Sequence, residues 1–100
     1  MSQDLNPAIW PMSARRVNGE ITIGDISVSD LADEFETPAF ILDESDFKAR
    51  SSLWAKALQE AFGTNAGTAY YAAKSFISTQ VARWIEQAGL GLDVCTDGEL

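Results

Sequence analysis

Residues 68–96 read TAYYAAKSFISTQVARWIEQAGLGLDVCT, and the fold is decided here. TAYYAAK is a short run of small, aromatic and apolar residues, of strand length and too brief for a helix. In ISTQVARWIEQAG, Ile77, Val81, Trp84, Ile85 and Ala88 recur at helical spacing on one stripe, and Gly89 is a natural C-terminal breaker. LGLDVCT is again of strand length, and DGEL looks like the opening of a further helix. Upstream, ESDFKARSSLWAKALQEAFG places Phe47, Trp54, Leu58 and Ala61 on one helical face, with Gly63 as its stop and GTNAG as the loop that follows. Helices alternating with strands argue for an α/β chain with a parallel sheet and right-handed crossovers. Two parallel strands do not bury the faces of their flanking helices, so the expectation is the N-terminal piece of a longer chain.

Side chains alternate along a strand. Tyr70, Ala72 and Lys74 then share one face, as do Gly91, Asp93 and Cys95 on the next strand. Each strand thus puts one ionisable residue, Lys74 or Asp93, on a face otherwise made of small residues. In a barrel that face points inward, and active sites lie at the carboxyl ends of the strands. Two readings stand for each residue. Lys74 is either the first loop residue, its amine in water, or a group held in a pocket. Asp93 is either a buried carboxylate satisfied by backbone amides or that lysine's partner. Cys95 reads as packing rather than chemistry, and Tyr70 and Tyr71 as core rather than cofactor contacts.

The first half is different. Met1–Arg16 holds two of the three prolines and no clear period, and reads as an arm. NGEITIGDISVSDL opens on the turn signal Asn18-Gly19 and carries Ile21, Ile23, Ile26 and Val28 around Gly24-Asp25, the pattern of a short hairpin. Ser29 or Asp30 is placed to cap a short helix over DLADEFE, with Val28 stapling its start and Pro38 ending it. PAFILDE is an apolar run of strand length.

Composition narrows the function. With 46% apolar and 22% charged residues in 100, the chain is ordinary globular material. A net charge of −8 argues against a nucleic-acid partner. No apolar run approaches the roughly 20 residues that span a bilayer, and the start MSQDLNPAIW lacks the basic and apolar regions of a signal peptide. One cysteine forms no internal disulfide, which fits a reducing, cytoplasmic compartment. There is no histidine, so any histidine a mechanism needs comes from outside these 100 residues.

Three blocks together resemble a known family. Tyr71-Ala72-Ala73-Lys74 matches its Tyr-Ala-x-Lys, which closes the first barrel strand. Gly89, Asp93-Val94, Thr96 and Glu99-Leu100 match the segment that follows, and Thr37, Pro38, Asp43 and Glu44 match one that precedes. The family is that of the diaminopimelate decarboxylases, pyridoxal-phosphate enzymes of the alanine-racemase-like barrel class, and the resemblance covers roughly residues 20 to 100. Many relatives have Ser or Gly where this chain has Thr96 and Asp97. Related ornithine and arginine decarboxylases read Val-Lys-Cys-Asn around the lysine, and alanine racemases Lys-Ala-Asn. Lys74-Ser75-Phe76 fits neither and favours the diaminopimelate branch.

The resemblance implies the start of a (β/α)8 TIM barrel that binds pyridoxal 5'-phosphate. Residues 1–42 would be the arm and strands of a second, β-rich domain, and residues 43–100 the first βα units of the incomplete barrel. It implies decarboxylation of meso-2,6-diaminopimelate to L-lysine, with Lys74 forming the internal aldimine and Asp93 in the cofactor pocket, orienting Lys74. A wall of small residues such as Ala72 and Gly91 would leave room for the flat pyridine ring. It further implies a homodimer with shared active sites, no resident metal, and phosphate- and carboxylate-binding residues beyond position 100, so that this piece alone is inactive. The competing expectations are a decarboxylase of another basic amino acid, a non-enzymatic carrier of the same cofactor, and a small α/β binding module complete in 100 residues.

Overall fold

The computed structural model describes residues 5–65 and 67–100. The first four residues of the expected arm and Ala66 in the expected GTNAG loop lie outside the described residues. The chain divides into two compact units, one up to Phe47 and one from Lys48.

The first unit is built on tight turns. β1 (Arg15–Val17), β2 (Glu20–Ile23) and β3 (Ile26–Ser27) form an antiparallel meander in the order β1-β2-β3. Val17 pairs with Glu20 and Ile23 with Ile26, so each connection is a two-residue loop. Both loops hold positive φ at both positions: 52° and 80° at Asn18-Gly19, 58° and 65° at Gly24-Asp25. That is the backbone of a turn whose twist matches the strands it joins, and Asn, Gly and Asp tolerate it best. The Gly24-Asp25 hairpin is as expected. β1 is not: the end of the expected arm is an added edge strand, paired with β2. Arg15-Arg16-Val17 has no apolar alternation, but the Asn18-Gly19 turn needs a strand on each side.

α1 (Val28–Phe35) starts earlier than expected, at Val28, and its cap is Ser27. The Ser27 hydroxyl accepts the Asp30 amide at 3.1 Å. Ser29, placed as a cap from the sequence, instead donates its amide to Glu20 at 2.9 Å, and the hydroxyl and amide of Ser29 hold that carboxylate below its ordinary range. The helix ends at Glu36, where φ is 62°. PAFILDE is not a strand. Residues 39–43 carry no regular secondary structure and no ladder partner among the described residues, and Phe40 is 96% exposed. Its apolar pattern is that of a strand, but a strand needs a neighbour to bond.

α2 (Glu44–Phe62) starts from Asp43, whose side chain accepts the Asp46 amide at 3.2 Å and whose carbonyl accepts the Phe47 amide at 2.9 Å. Ser13 donates to the other oxygen of Asp43 and accepts the Gly24 amide at 2.8 Å. One hydroxyl thus ties the hairpin turn to the helix cap.

The second unit holds the βαβ element. β4 (Tyr70–Ala72) and β5 (Gly91–Asp93) are parallel, joined through α3 (Thr79–Gln87), which packs on β5. This is the α/β parallel pairing that the helix–strand alternation predicts. The Ser78 hydroxyl caps α3, accepting the Val81 amide at 3.2 Å. At the other end Gly89 adopts φ 79°, which lets its amide reach the Glu86 carbonyl at 3.0 Å and the Leu90 amide reach Ile85 at 3.1 Å. That paired closure satisfies the last carbonyls and turns the chain straight into β5. Val81 and Ile85 are 1% exposed, and Ile77, Trp84 and Ala88 are half-buried, so the predicted stripe is the buried face. On α2 the stripe is rotated from the expectation. Ser51 is buried and Phe47, Ala55 and Leu58 half-buried, while Trp54 is 69% exposed and Ala61 is exposed too. Lys48 places its ammonium 5.7 Å from the centre of the Trp84 ring. Among the described residues no helix is long and apolar enough to cross a membrane.

Candidate active site at the carboxyl ends of β4 and β5

The register pairs Tyr70 with Gly91, Tyr71 with Leu92 and Ala72 with Asp93. In a parallel pair, residues in register share a face, so Ala72 and Asp93 stand side by side at the last rung. Both strands are shorter than the sequence implied. β4 stops at Ala72 and the chain tightens into a 3-10 turn, Ala73–Ser75, which carries Lys74. β5 stops at Asp93. Lys74 is therefore a turn residue two positions past the strand rather than its last inward-facing member. The end of the sheet is still the expected one: Lys74 and Asp93 both leave from the carboxyl ends of neighbouring parallel strands.

Both are exposed, as is Cys95. For Lys74 this matches the reading with the amine in water. It corrects the buried carboxylate considered for Asp93 and the packing role considered for Cys95. Among the described residues Lys74 makes no ion pair or hydrogen bond. Beneath it, Ala73 is 2% exposed, so the turn rests on a buried methyl while its lysine points out.

The tyrosines divide. Tyr70, expected in the core, is 67% exposed, and its ring lies over Gly91: a Cβ at Gly91 would sit 2.5 and 2.6 Å from two ring carbons. The hollow that Gly91 was expected to leave for a pyridine ring is filled by this aromatic face. Tyr71 is half-buried and its hydroxyl donates to the Phe76 carbonyl at 2.7 Å. The Ser75 hydroxyl lies 2.8 Å from the Ala72 carbonyl and 3.1 Å from the Tyr71 hydroxyl. Sequence reasoning singled out neither hydroxyl. No spacing rule signals them, because the contact depends on a turn that the strand pattern hid.

Beyond β5, Thr96 accepts the Glu99 amide at 3.3 Å while the Glu99 carboxylate accepts the Cys95 amide at 2.5 Å. This is a variant of the capping box that Thr-x-x-Glu signals in sequence, with the carboxylate taking the amide of Cys95, one residue before the cap, rather than that of Thr96. The expected helix opening at DGEL is present as one hydrogen-bonded turn, closed by Glu99 and Leu100 amides on the Thr96 carbonyl.

A bound pyridoxal 5'-phosphate needs a free primary amine for its aldehyde and a small-residue floor for its flat ring. Lys74 and Ala72 supply this set at one end of the sheet, and the donor chemistry fits; Asp93 ends the neighbouring strand, with no ion pair to Lys74 among the described residues. Gly91, beneath Tyr70, does not belong to it. A cavity of about 430 Å³ lies elsewhere, at the amino ends of the strands near Ala69 and Leu90, lined also by Lys56, Gln59 and Gln87. Among the described residues no cluster of histidine, cysteine or carboxylate side chains is arranged to hold a metal ion.

No family model matches the chain. Individual proteins do. A diaminopimelate decarboxylase of Mycobacterium tuberculosis is 44% identical over 97 residues, 96% of this chain and 21% of that protein. The enzyme of the same name from Corynebacterium efficiens is 39% identical over 98 residues, 97% of this chain and 20% of its own length. That from Synechocystis is 34% identical over 96 residues, again 20% of its length. The likeness is to diaminopimelate decarboxylases. It reaches further than the motifs did, since an alignment of 97 residues takes in much of the first 20 as well. The chain spans about a fifth of the length of these diaminopimelate decarboxylases.

Proposed function

We propose that this chain is part of a diaminopimelate decarboxylase, which removes carbon dioxide from meso-2,6-diaminopimelate to give L-lysine with pyridoxal 5'-phosphate as cofactor. The observation that carries the proposal is the parallel register: it brings the Lys74 turn and Asp93 to the same end of two adjacent strands, in a chain similar throughout to enzymes of that name. When bound, the cofactor supplies an electron sink for the charge left as carbon dioxide departs. Lys74 is the residue that would hold it, through Nζ. The same amine, when not engaged by the cofactor, would be the group able to carry a proton. Asp93 orients Nζ and balances its charge when protonated. Ala72, the small side chain between them, keeps the floor open.

The same proposal extends to architecture. Residues 43–100 are the first βα units of a (β/α)8 barrel, and residues 1–42 belong to a β-domain completed elsewhere in the whole protein. The whole protein is a cytoplasmic homodimer with active sites shared between subunits. Active sites at the carboxyl ends of barrel strands support this placement. So does the ladderless apolar segment at residues 39–42, which has the composition of a strand awaiting neighbours.

The test is carbon dioxide release by the full-length protein from meso-diaminopimelate, set against ornithine, arginine and carboxynorspermidine. The expected result is selective turnover to L-lysine. Lys74→Ala abolishes it and Asp93→Ala slows it about 100-fold, the scale of loss when a reacting group is misplaced. Preference for another substrate in the panel would reassign the reaction, and full activity in Lys74→Ala would end the proposal.

A further inference from the structure

We propose that the hydroxyls of Tyr71 and Ser75 are positioning groups that lock the turn carrying Lys74 and so fix where its amine starts from. This rests on the reading that Lys74 holds the cofactor.

A 3-10 turn of three residues has poor backbone hydrogen-bond geometry and little stiffness of its own. A lysine stem is long and flexible, so the position of its amine is only as defined as the backbone beneath it. Here the backbone is held from both sides. The Tyr71 hydroxyl donates to the Phe76 carbonyl at 2.7 Å, closing a loop of chain in which Lys74 is enclosed. With that proton committed, the Tyr71 oxygen is an acceptor. Ser75 has a single hydroxyl proton, shared between the Ala72 carbonyl at 2.8 Å and the Tyr71 oxygen at 3.1 Å. The result is one relay running from the Ala72 carbonyl through Ser75 and Tyr71 to the Phe76 carbonyl. Its ends lie two residues before and two residues after Lys74. Ala73, buried between them, holds the base of the turn. Neither hydroxyl needs to touch the cofactor: they act through Lys74.

The experiment uses the full-length protein and follows uptake of pyridoxal 5'-phosphate by cofactor-free enzyme, as the rise of the visible band of the lysine-linked cofactor. Borohydride reduction and peptide mapping identify the linked residue in parallel, and thermal unfolding is recorded for every variant. Tyr71→Phe and Ser75→Ala should each slow uptake about fivefold, as expected for one lost hydrogen bond, with the label still on Lys74. The double variant should be no slower than the slower single one, because both hydroxyls belong to one relay. Ser75→Thr, which keeps the hydroxyl, should restore the original rate, and melting midpoints should not follow the rates. Unchanged uptake in both single variants, losses that multiply in the double variant, or rates that track melting midpoints would each overturn the inference. A label absent from Lys74 in the unsubstituted protein would overturn the underlying reading instead.

Discussion

Gly91 shows how much one missing side chain decides. The flat ring of Tyr70 covers it at a distance no Cβ tolerates, so Gly91→Ala must push the ring aside. Tyr70 is exposed and has room to swing, which puts the cost at the low end of overpacking, about 1 kcal/mol in denaturant unfolding of the full-length protein. In a Tyr70→Ala background the same change should cost nothing, and an equal cost in both backgrounds would show that the ring is not the obstacle. The candidate site was partly readable at this scale. Lys74 and Asp93 stand out because an ionisable residue among small ones is conspicuous. The Tyr71–Ser75 relay was hidden, because it depends on where β4 ends, and strand alternation carries no information about that.

The elements were readable wherever local chemistry closes them. The Gly24-Asp25 turn, the α3 stripe and the Gly89 stop all follow from backbone preferences and burial period, and all are present. Errors came where tertiary partners decide. The face of α2 turned toward Ser51 and Ala55 rather than Trp54, and the 39–43 segment lacks the neighbour that makes a strand. The cap of α1 is Ser27, while Ser29 is engaged by Glu20, a contact from β2 to the first turn of α1 that no local rule includes. α3 offers a direct test of local closure. Ser78→Ala removes the hydroxyl that accepts the Val81 amide, and should destabilise the full-length protein by about 1 kcal/mol in denaturant unfolding. Ser78→Asp, which keeps an acceptor at the cap, should recover most of that loss. If Ser78→Ala has no effect, the cap does not hold α3.

At the scale of the whole molecule, burial is the limiting quantity. Ala73, Val81 and Ile85 are the buried apolar residues described, while Phe40, Trp54 and Phe62 are largely open to water. Such a core supplies little of the hydrophobic free energy a cooperative fold requires. Residues 1–100 expressed alone should therefore melt without a sharp two-state transition and bind a hydrophobic dye, and a cooperative thermal transition would show a self-sufficient module. The same open surface is why the proposed barrel and dimer rest on resemblance rather than on residue patterns: exposure marks a face without saying what covers it. The central claim concerns one amine, and the intact protein tests it in a single measurement. Borohydride reduction of the cofactor-loaded protein, followed by peptide mass mapping, should place the cofactor's mass on the Lys74 side chain; a label on any other residue, or none, would contradict the account.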